Sequence, residues 1–524
     1  MQLFLLCCLI GNSLFGQQLT WMPREGDLQE KFYKEKIFKR SITSWDENEM
    51  FVHDPSDLFV MDVVTMTVKA AFPHNEIEKV KKGKYIDDIL TTQRRGALVL
   101  SKTDAGYELT LVPISAGGLG EPITWHTFDG GLSKELDDLP DYIFVSDNKE
   151  YVLLAVPAAE QIEMWVFDAS LKEVYRKTVP GSFDVNGRAF NAFEMDGHIS
   201  DDGNVRLSVL LEDRKSSSRD WDKVCLAFLD YEHKQDDLKE VLVDLSQVVD
   251  DDKKAFIWPS DKKFLLGNYV SFNAPYGTIE GEELYEYGYD DKTETAIFAG
   301  LYKSADGGGV FTVQYDHKND RQQPIRKHDI AEKTKEDMLK VHFKGKTPKR
   351  LNLRISDILS KANGDFLVLT DLVYEFKESG YLTYYSWDIV YQNINPENEL
   401  SWEGNISRKF RSKTMGSGSF AAISKDSDVY LFFNQLERGA HPDLLGNVLK
   451  SDGAKMKLSL SNHDENAILV PVMPDQVPVQ LVPLVAAGKM VKGLGTSRPV
   501  KLADDALLVF CVNSLKADLL LIKI

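Results

Sequence analysis

The sequence predicts an all-β protein: a ring of about seven, between six and eight, small antiparallel sheets carrying long loop insertions. Three observations predict it. A polar turn containing Asp, Asn or Gly leads six times into a largely apolar, β-branched or aromatic run. A second pattern follows several copies: an apolar strand ending in Asp or Asn, a polar turn, then another strand. Helical periodicity is almost absent. Turns of a few residues join only antiparallel neighbours, so each repeat reads as a meander.

The chain opens with an uncharged stretch, residues 1–17, whose core is Leu3-Phe4-Leu5-Leu6-Cys7-Cys8-Leu9-Ile10 followed by Gly11, Asn12 and Ser13. It reads as a short secretory signal peptide, too short to span a bilayer. The n-region has no Lys or Arg. A cut after Ser13, with Gly11 two residues before it, suits the small-residue rule better than a cut after Gly16, which leaves Leu14 there. The other readings of the stretch are an N-terminal strand or a hydrophobic anchor. Export to the periplasm, the outer surface or the medium is the expectation. Residues 18–90 contain the strand-like Phe59-Val60-Met61-Asp62-Val63-Val64 and read as an arm across the ring or a segment completing it.

From residue 91 to 524 the turn-then-strand copies follow in order. They are Asp104-Ala105-Gly106 into 107–112, Asp147-Asn148-Lys149 into 151–156, and Asp201-Asp202-Gly203 into 205–211. The remaining three are Asn363-Gly364-Asp365 into 366–369, Asp426-Ser427-Asp428 into 429–433, and Asp504-Asp505 into 506–512. The second pattern appears at 164–179, 225–245, 311–320 and 387–402. Asn204-Val205-Arg206-Leu207-Ser208-Val209 alternates, as in a sheet with one wet face. Runs such as Tyr151-Val152-Leu153-Leu154-Ala155-Val156 are continuously apolar and need cover on both faces. Small sheets packed face to face around an axis supply that cover, which is the geometry of a β-propeller. Repeat starts near 103, 146, 200, 260, 361, 424 and 503 count about seven blades, with the excess length in 213–222, 274–293 and 317–345. One helix is expected, over residues 329–342, as an insertion. No Pro/Ser/Gly linker divides the chain, so a single ring is expected.

Composition excludes several function classes. With 62 Lys+Arg against 81 Asp+Glu the net charge is −19, and no basic stripe interrupts it, so nucleic acid is not an expected partner. Four Cys cannot staple 524 residues. Cys225 and Cys511 sit in apolar runs and read as buried thiols, with a bond between them left open by sequence. No segment reads as a membrane span, since the most apolar candidate, 468–488, contains Pro471, Pro474, Asp475, Pro478 and Pro483.

Motifs that carry chemistry are few. His-Glu-x-x-His, Cys-x-x-Cys, Gly-x-Ser-x-Gly and the phosphate-cradling Gly-rich loop are missing, and Gly416-Ser417-Gly418-Ser419 has the wrong register. Ser304-Ala305-Asp306-Gly307-Gly308-Gly309-Val310-Phe311 is similar to the Asp-box of sialidase-like propellers but occurs once, so a Gly-rich turn is the reading. Asp250-Asp251-Asp252 and the acidic, tyrosine-bearing stretch 280–291 offer oxygen ligands without calcium-loop spacing, so solvated charge is expected, with no metal and no cofactor. The aromatic run Tyr374, Phe376, Tyr381, Tyr384, Tyr385 and Trp387 is the candidate ligand surface, because aromatic faces stack on sugars and bury area at interfaces. Packing between blades is its alternative.

The part from about residue 260 onward carries Phe298-Ala299-Gly300-Leu301-Tyr302, Gly309-Val310-Phe311, Asp365-Phe366-Leu367-Val368-Leu369, Trp387-Asp388-Ile389-Val390, Trp402 and Tyr430-Leu431-Phe432-Phe433-Asn434. In these pieces it resembles a family of exported, β-propeller-like proteins of Bacteroidetes-type bacteria. The resemblance covers about half of the chain, departs from the family pattern at Asp371 and in Arg408-Lys409-Phe410-Arg411, and implies fold and export without any catalytic residue. The expected function is therefore a non-catalytic binding or scaffold propeller for a protein or surface polymer. A glycan-acting hydrolase with carboxylates in the central funnel is the alternative.

Overall fold

The computed structural model describes most of residues 48–213, 223–248, 285–336 and 353–406, together with the strands within 18–45, 219–220, 257–272, 410–436, 465–490 and 500–523. Among these residues the chain forms eight sheets of four or five antiparallel strands. In chain order they are blade 1 (41–73), blade 2 (84–129), blade 3 (143–180), blade 4 (182–244), blade 5 (285–329), blade 6 (353–412), blade 7 (420–483) and blade 8 (500–523). Blade 8 takes its fourth strand from the other end of the chain: Gln18–Trp21 pairs with Lys516–Lys523, in the register Gln18 to Lys523 and Trp21 to Leu520. N- and C-terminal segments thus close one sheet, and the protein is a β-propeller.

Eight blades is the upper end of the expected range. Blade 1 lies within residues 18–90, and Lys84–Leu90 is already the first strand of blade 2, so a boundary at residue 91 falls inside a blade. The repeat start near 103 is a later turn of blade 2, not a new blade, and blade 5 begins at Tyr285 instead of near 260. The sequence patterns otherwise map onto two turns of the blade. Five of the six Asp/Asn/Gly turns join first to second strands, and the second pattern is throughout the hairpin between third and fourth strands.

Local chemistry explains both. In the first-to-second turns, Gly203 and Gly364 adopt φ of +80° and +83°, as a type I turn closed by a left-handed residue requires. Their N–H groups donate to Ser200 O and Lys361 O, each at 2.9 Å. In the third-to-fourth hairpins the strand-terminal acid or amide gathers the turn's free N–H groups. Asp168 Oδ1 accepts from Ser170 N at 2.8 Å and Lys172 N at 3.0 Å, and Asn395 Oδ1 from Glu397 N at 3.1 Å and Glu399 N at 2.7 Å.

The continuous apolar strands are cores shared between blades. In Tyr151–Ala158, Val152, Leu154 and Val156 pack with Leu98, Leu109 and Leu111 of blade 2, whereas Leu153 and Ala155 pack with Val205, Leu207 and Val209 of blade 4. Residues 152–156 are all 0% exposed. Alternate side chains of one strand enter different cores, so both parities must be apolar. The same division holds in Phe366–Glu378, where Phe366 and Val368 face blade 5 and Leu367 and Leu369 face blade 7.

Three expectations change. The alternating strand Val205–Asp213 has no wet face: Arg206 is 4% exposed, because a second strand is covered by blades on both sides and the guanidinium finds carboxylates there. Within 329–342, Asp329 ends the strand Arg326–Asp329, helical residues begin at 332, and 337–342 lie outside the described residues. The helix His74–Lys81, between blades 1 and 2, is additional. Its left-handed cap at Lys82 and buried Ile77 seat a single apolar residue, too little for a periodicity signal. Cys225 is a buried free thiol, pushed up to about 12 by burial, and the Cys511 side chain lies outside the described residues.

Candidate functional site

An antiparallel four-stranded blade makes its first-to-second and third-to-fourth turns at one end of the strands, and all other links at the opposite end. Here the first class runs from two to nine residues. Every link of ten or more residues belongs to the second class: 22–40, 74–83, 130–142, 214–223, 245–284, 330–352, 437–464 and 484–499. The ring therefore has a turn face, held by short hairpins, and an insertion face from which all the long links depart.

The aromatic candidates belong to the insertion face. Tyr374 lies on the second strand of blade 6, Phe366–Glu378, and Tyr381, Tyr384, Tyr385 and Trp387 on the third, Tyr381–Ile394. The first strand pairs with the second only as far as Leu372, so residues 373–386 form a hairpin that outruns its sheet. In it Tyr374 is opposite Tyr385, Glu375 opposite Tyr384, and Glu378 opposite Tyr381, with Phe410–Ser412 paired alongside 384–386. The backbone thus brings Tyr374 and Tyr385 together. The side chains of 372–387 lie outside the described residues, as do Asp250, Asp251, Asp252 and the stretches 280–284 and 303–307 of the acidic and Asp-box-like motifs.

The first strands of the blades face the axis. Turn contacts show this: the 146–150 turn of blade 3 meets not only its neighbours but also blades 1 and 5. Lys149 Nζ donates to Trp45 O of blade 1, Asn148 N to Asp201 Oδ1 of blade 4 at 3.0 Å, and Thr92 N of blade 2 to Lys149 O at 3.2 Å. The Asp147 carboxyl is raised, after burial, by the nearby Asp291 carboxyl of blade 5.

Three axial strands carry an Asp at one equivalent position, three residues before the strand's end: Asp87 in Lys84–Leu90, Asp196 in Arg188–Ile199 and Asp357 in Leu353–Ser360. Each strand has a register shift shortly before the Asp, at 85/87, 192/194 and 355/357, the kind of bulge that re-aims a side chain. Asp87 and Asp357 each accept the next residue's N–H, from Asp88 and Ile358 at 2.8 and 2.9 Å. Burial raises Asp87 to about 8, with the Asp88 carboxylate adding to it. Burial likewise raises Asp196 to about 6, against the pull of the Gly197 N–H. Beside Asp196, Glu194 accepts from Tyr285 OH, and the enclosed Tyr287 hydroxyl is pushed well up by burial and by Glu194 and Asp196. Acids that keep a proton near neutral pH can donate one, the property a general acid needs. Among the described residues no group of three His, Cys, Asp or Glu side chains could hold a metal ion.

A second charged cluster joins blades 4 and 5 below the turn face. Arg206 pairs with Asp230, 0% exposed, whose other oxygen is 3.3 Å from His317 Nδ1. Burial lowers His317, so the neutral ring can accept its place against the carboxylate as a donor. Nearer the axis, His198 Nε2 is 2.8 Å from Asp291 Oδ1, and its ring stacks on Tyr289 at 4.0 Å. These residues were not legible beforehand: with 81 acids in the chain, only strand register distinguishes Asp87, Asp196 and Asp357 from the rest. The available signal was the recurrence of Asp a fixed distance before the turn, in Asp-Asp-Ile-Leu, Asp-Gly-His-Ile and Asp-Ile-Leu-Ser.

No family model matches the chain, and no curated protein matches it. Solved structures do. The WD40 domain of SCAP from fission yeast is 10% identical, covering 97% of this chain and 98% of that one at a TM-score of 0.39. The Nup133 β-propeller domain of Vanderwaltozyma polyspora is 9% identical, covering 97% of each chain at 0.36. The Dos1 propeller is 9% identical over 94% and 96% at 0.32. Similarities at these scores add nothing to the site, and the fold is read from the order and closure of the eight sheets: this chain is a β-propeller.

Proposed function

We propose that the protein is an exported, non-catalytic β-propeller that binds a protein or a surface polymer across its insertion face. One observation carries the reading: every long link and the outrunning hairpin 373–386 leave the same end of the strands, while the other end is held by short turns. Recognition segments displayed from one side of a rigid scaffold are the usual arrangement of binding proteins. The uncharged, apolar residues 1–17 support export, and their removal would leave the closing strand Gln18–Trp21 whole. The framework pieces after residue 260 support membership of the exported Bacteroidetes-type family. No described helix is long and apolar enough to cross a membrane.

The experiment is capture from the native envelope with the tagged mature chain, beside a variant in which 373–386 is replaced by a two-residue turn. A partner held by the full chain and lost by the trimmed one supports the reading. Capture of nothing by the full chain refutes it.

A glycan-acting hydrolase is the second reading, favoured by the raised Asp196 beside Glu194 on an axial strand. Paired carboxylates with divided protonation are what glycoside cleavage uses. Release of reducing ends from a glycan panel, abolished by Asp196→Asn, would establish it in place of the first.

A further inference from the structure

The hairpin 373–386 leaves blade 6 at a knot of buried polar groups. Arg354, on the first strand Leu353–Ser360, stands opposite Asp371 of the second, one pair before the two strands part at Leu353 and Leu372. Its guanidinium forks onto the carboxylate: Nε donates to Oδ1 at 2.8 Å and Nη2 to Oδ2 at 3.0 Å. Ser356 Oγ adds a third donor to Oδ1 at 2.9 Å. Arg354 is 9% and Asp371 0% exposed.

Two bulges meet at this knot. Ser356 is the extra residue of the shift at 355/357 that precedes the axial Asp357. Beyond Asp371 the pairing steps from Asp371 with Ile389 to Val373 with Ser386, so Leu372 stands opposite both Trp387 and Asp388. A bulge bends its strand, and this bend is where the hairpin departs from its sheet. Packing alone does not call for a charge pair here, because apolar groups of similar volume hold a core about as well without desolvating two ions. What a planar fork adds is direction: two parallel bonds fix the plane of the Asp371 carboxylate, and a third from Ser356 ties it to the neighbouring strand.

We propose that Arg354, Ser356 and Asp371 are positioning residues: the knot pins the bulge at 387–388 and so sets the direction in which the hairpin stands off the insertion face. The inference rests on the hairpin being a recognition element and names the groups that orient it.

The test uses the full chain, with hydrogen exchange read in the absence of any partner and capture from the native envelope read beside it. Arg354→Lys keeps the charge and loses the fork. Amides at the root of the hairpin, 372–374 and 386–388, should then exchange about tenfold faster, with those of 366–369 within about twofold of native, and the captured partner should be held about tenfold less. Arg354→Met with Asp371→Leu removes both charges, which leaves the blade folded, and it should show the same acceleration at the root. Should Arg354→Lys not fold, this paired variant decides. Native exchange at the root in the paired variant, or equal acceleration at 366–369, overturns the proposal and makes the knot plain packing. Capture of nothing by the native chain refutes the binding role instead, while the exchange rates still decide what the knot does.

Discussion

Asp230 is 0% exposed and meets Arg206 of its own blade and His317 of the next, so two blades share one buried charge pair. Replacing such a pair by apolar groups can be neutral, but removing one member strands the other. Asp230→Ala should therefore cost about 3–5 kcal/mol, read from the urea midpoint at constant slope. The axial Asp196 behaves in the opposite sense. Its folded value of about 6 exceeds the ordinary 3.8, so its contribution is complete below about pH 4 and is lost as pH rises through 6. Asp196→Asn should match the native chain in stability at pH 4 and exceed it at pH 8, by on the order of 1–2 kcal/mol after discounting for a group that is only partly buried. Comparing variant with native chain at each pH matters, because buried His126 and His328, lowered to about 4, change stability in the other direction over the same range.

The blade-6 hairpin and the short turns are opposite designs. In the turns, the acid or amide at a strand's end satisfies N–H groups two to four residues away, which is why their residue types were readable without any tertiary information. The hairpin 373–386 pairs chiefly with itself and with Phe410–Ser412, beyond the reach of the first strand. Its replacement by a two-residue turn should leave the melting temperature within a few degrees of native, since the buried side chains described in blade 6, within 353–371, 388–398 and at 406, belong to the sheet it outruns. A large loss of stability would mean that the hairpin is packed framework, and would remove it as a recognition element. The axial bulges belong to neither class. A one-residue shift in pairing leaves no mark on apolar patterning, so nothing in that patterning singles out Asp87, Asp196 and Asp357.

The ring as a whole is closed by four residues, Gln18–Trp21. Deleting 18–21 should leave Lys516–Lys523 with an open edge, lower the melting temperature and make its amides the first to exchange, while Tyr151–Ala158 in blade 3 keeps its protection. Uniform loss of protection would show that closure controls every blade. The sequence by itself determined the all-β class, the meandering repeat and the double burial of the continuously apolar strands. Those follow from interactions between near neighbours in the chain: turn geometry, and the parity of apolar residues along a strand. Tertiary structure alone decided that there are eight blades, that residue 18 pairs with residue 523, that Arg206 is buried, and that Lys149 of one blade meets Trp45 two blades away. Each of these joins segments that the chain holds far apart, and closing such distances depends on how neighbouring sheets pack around the axis, which no local pattern encodes.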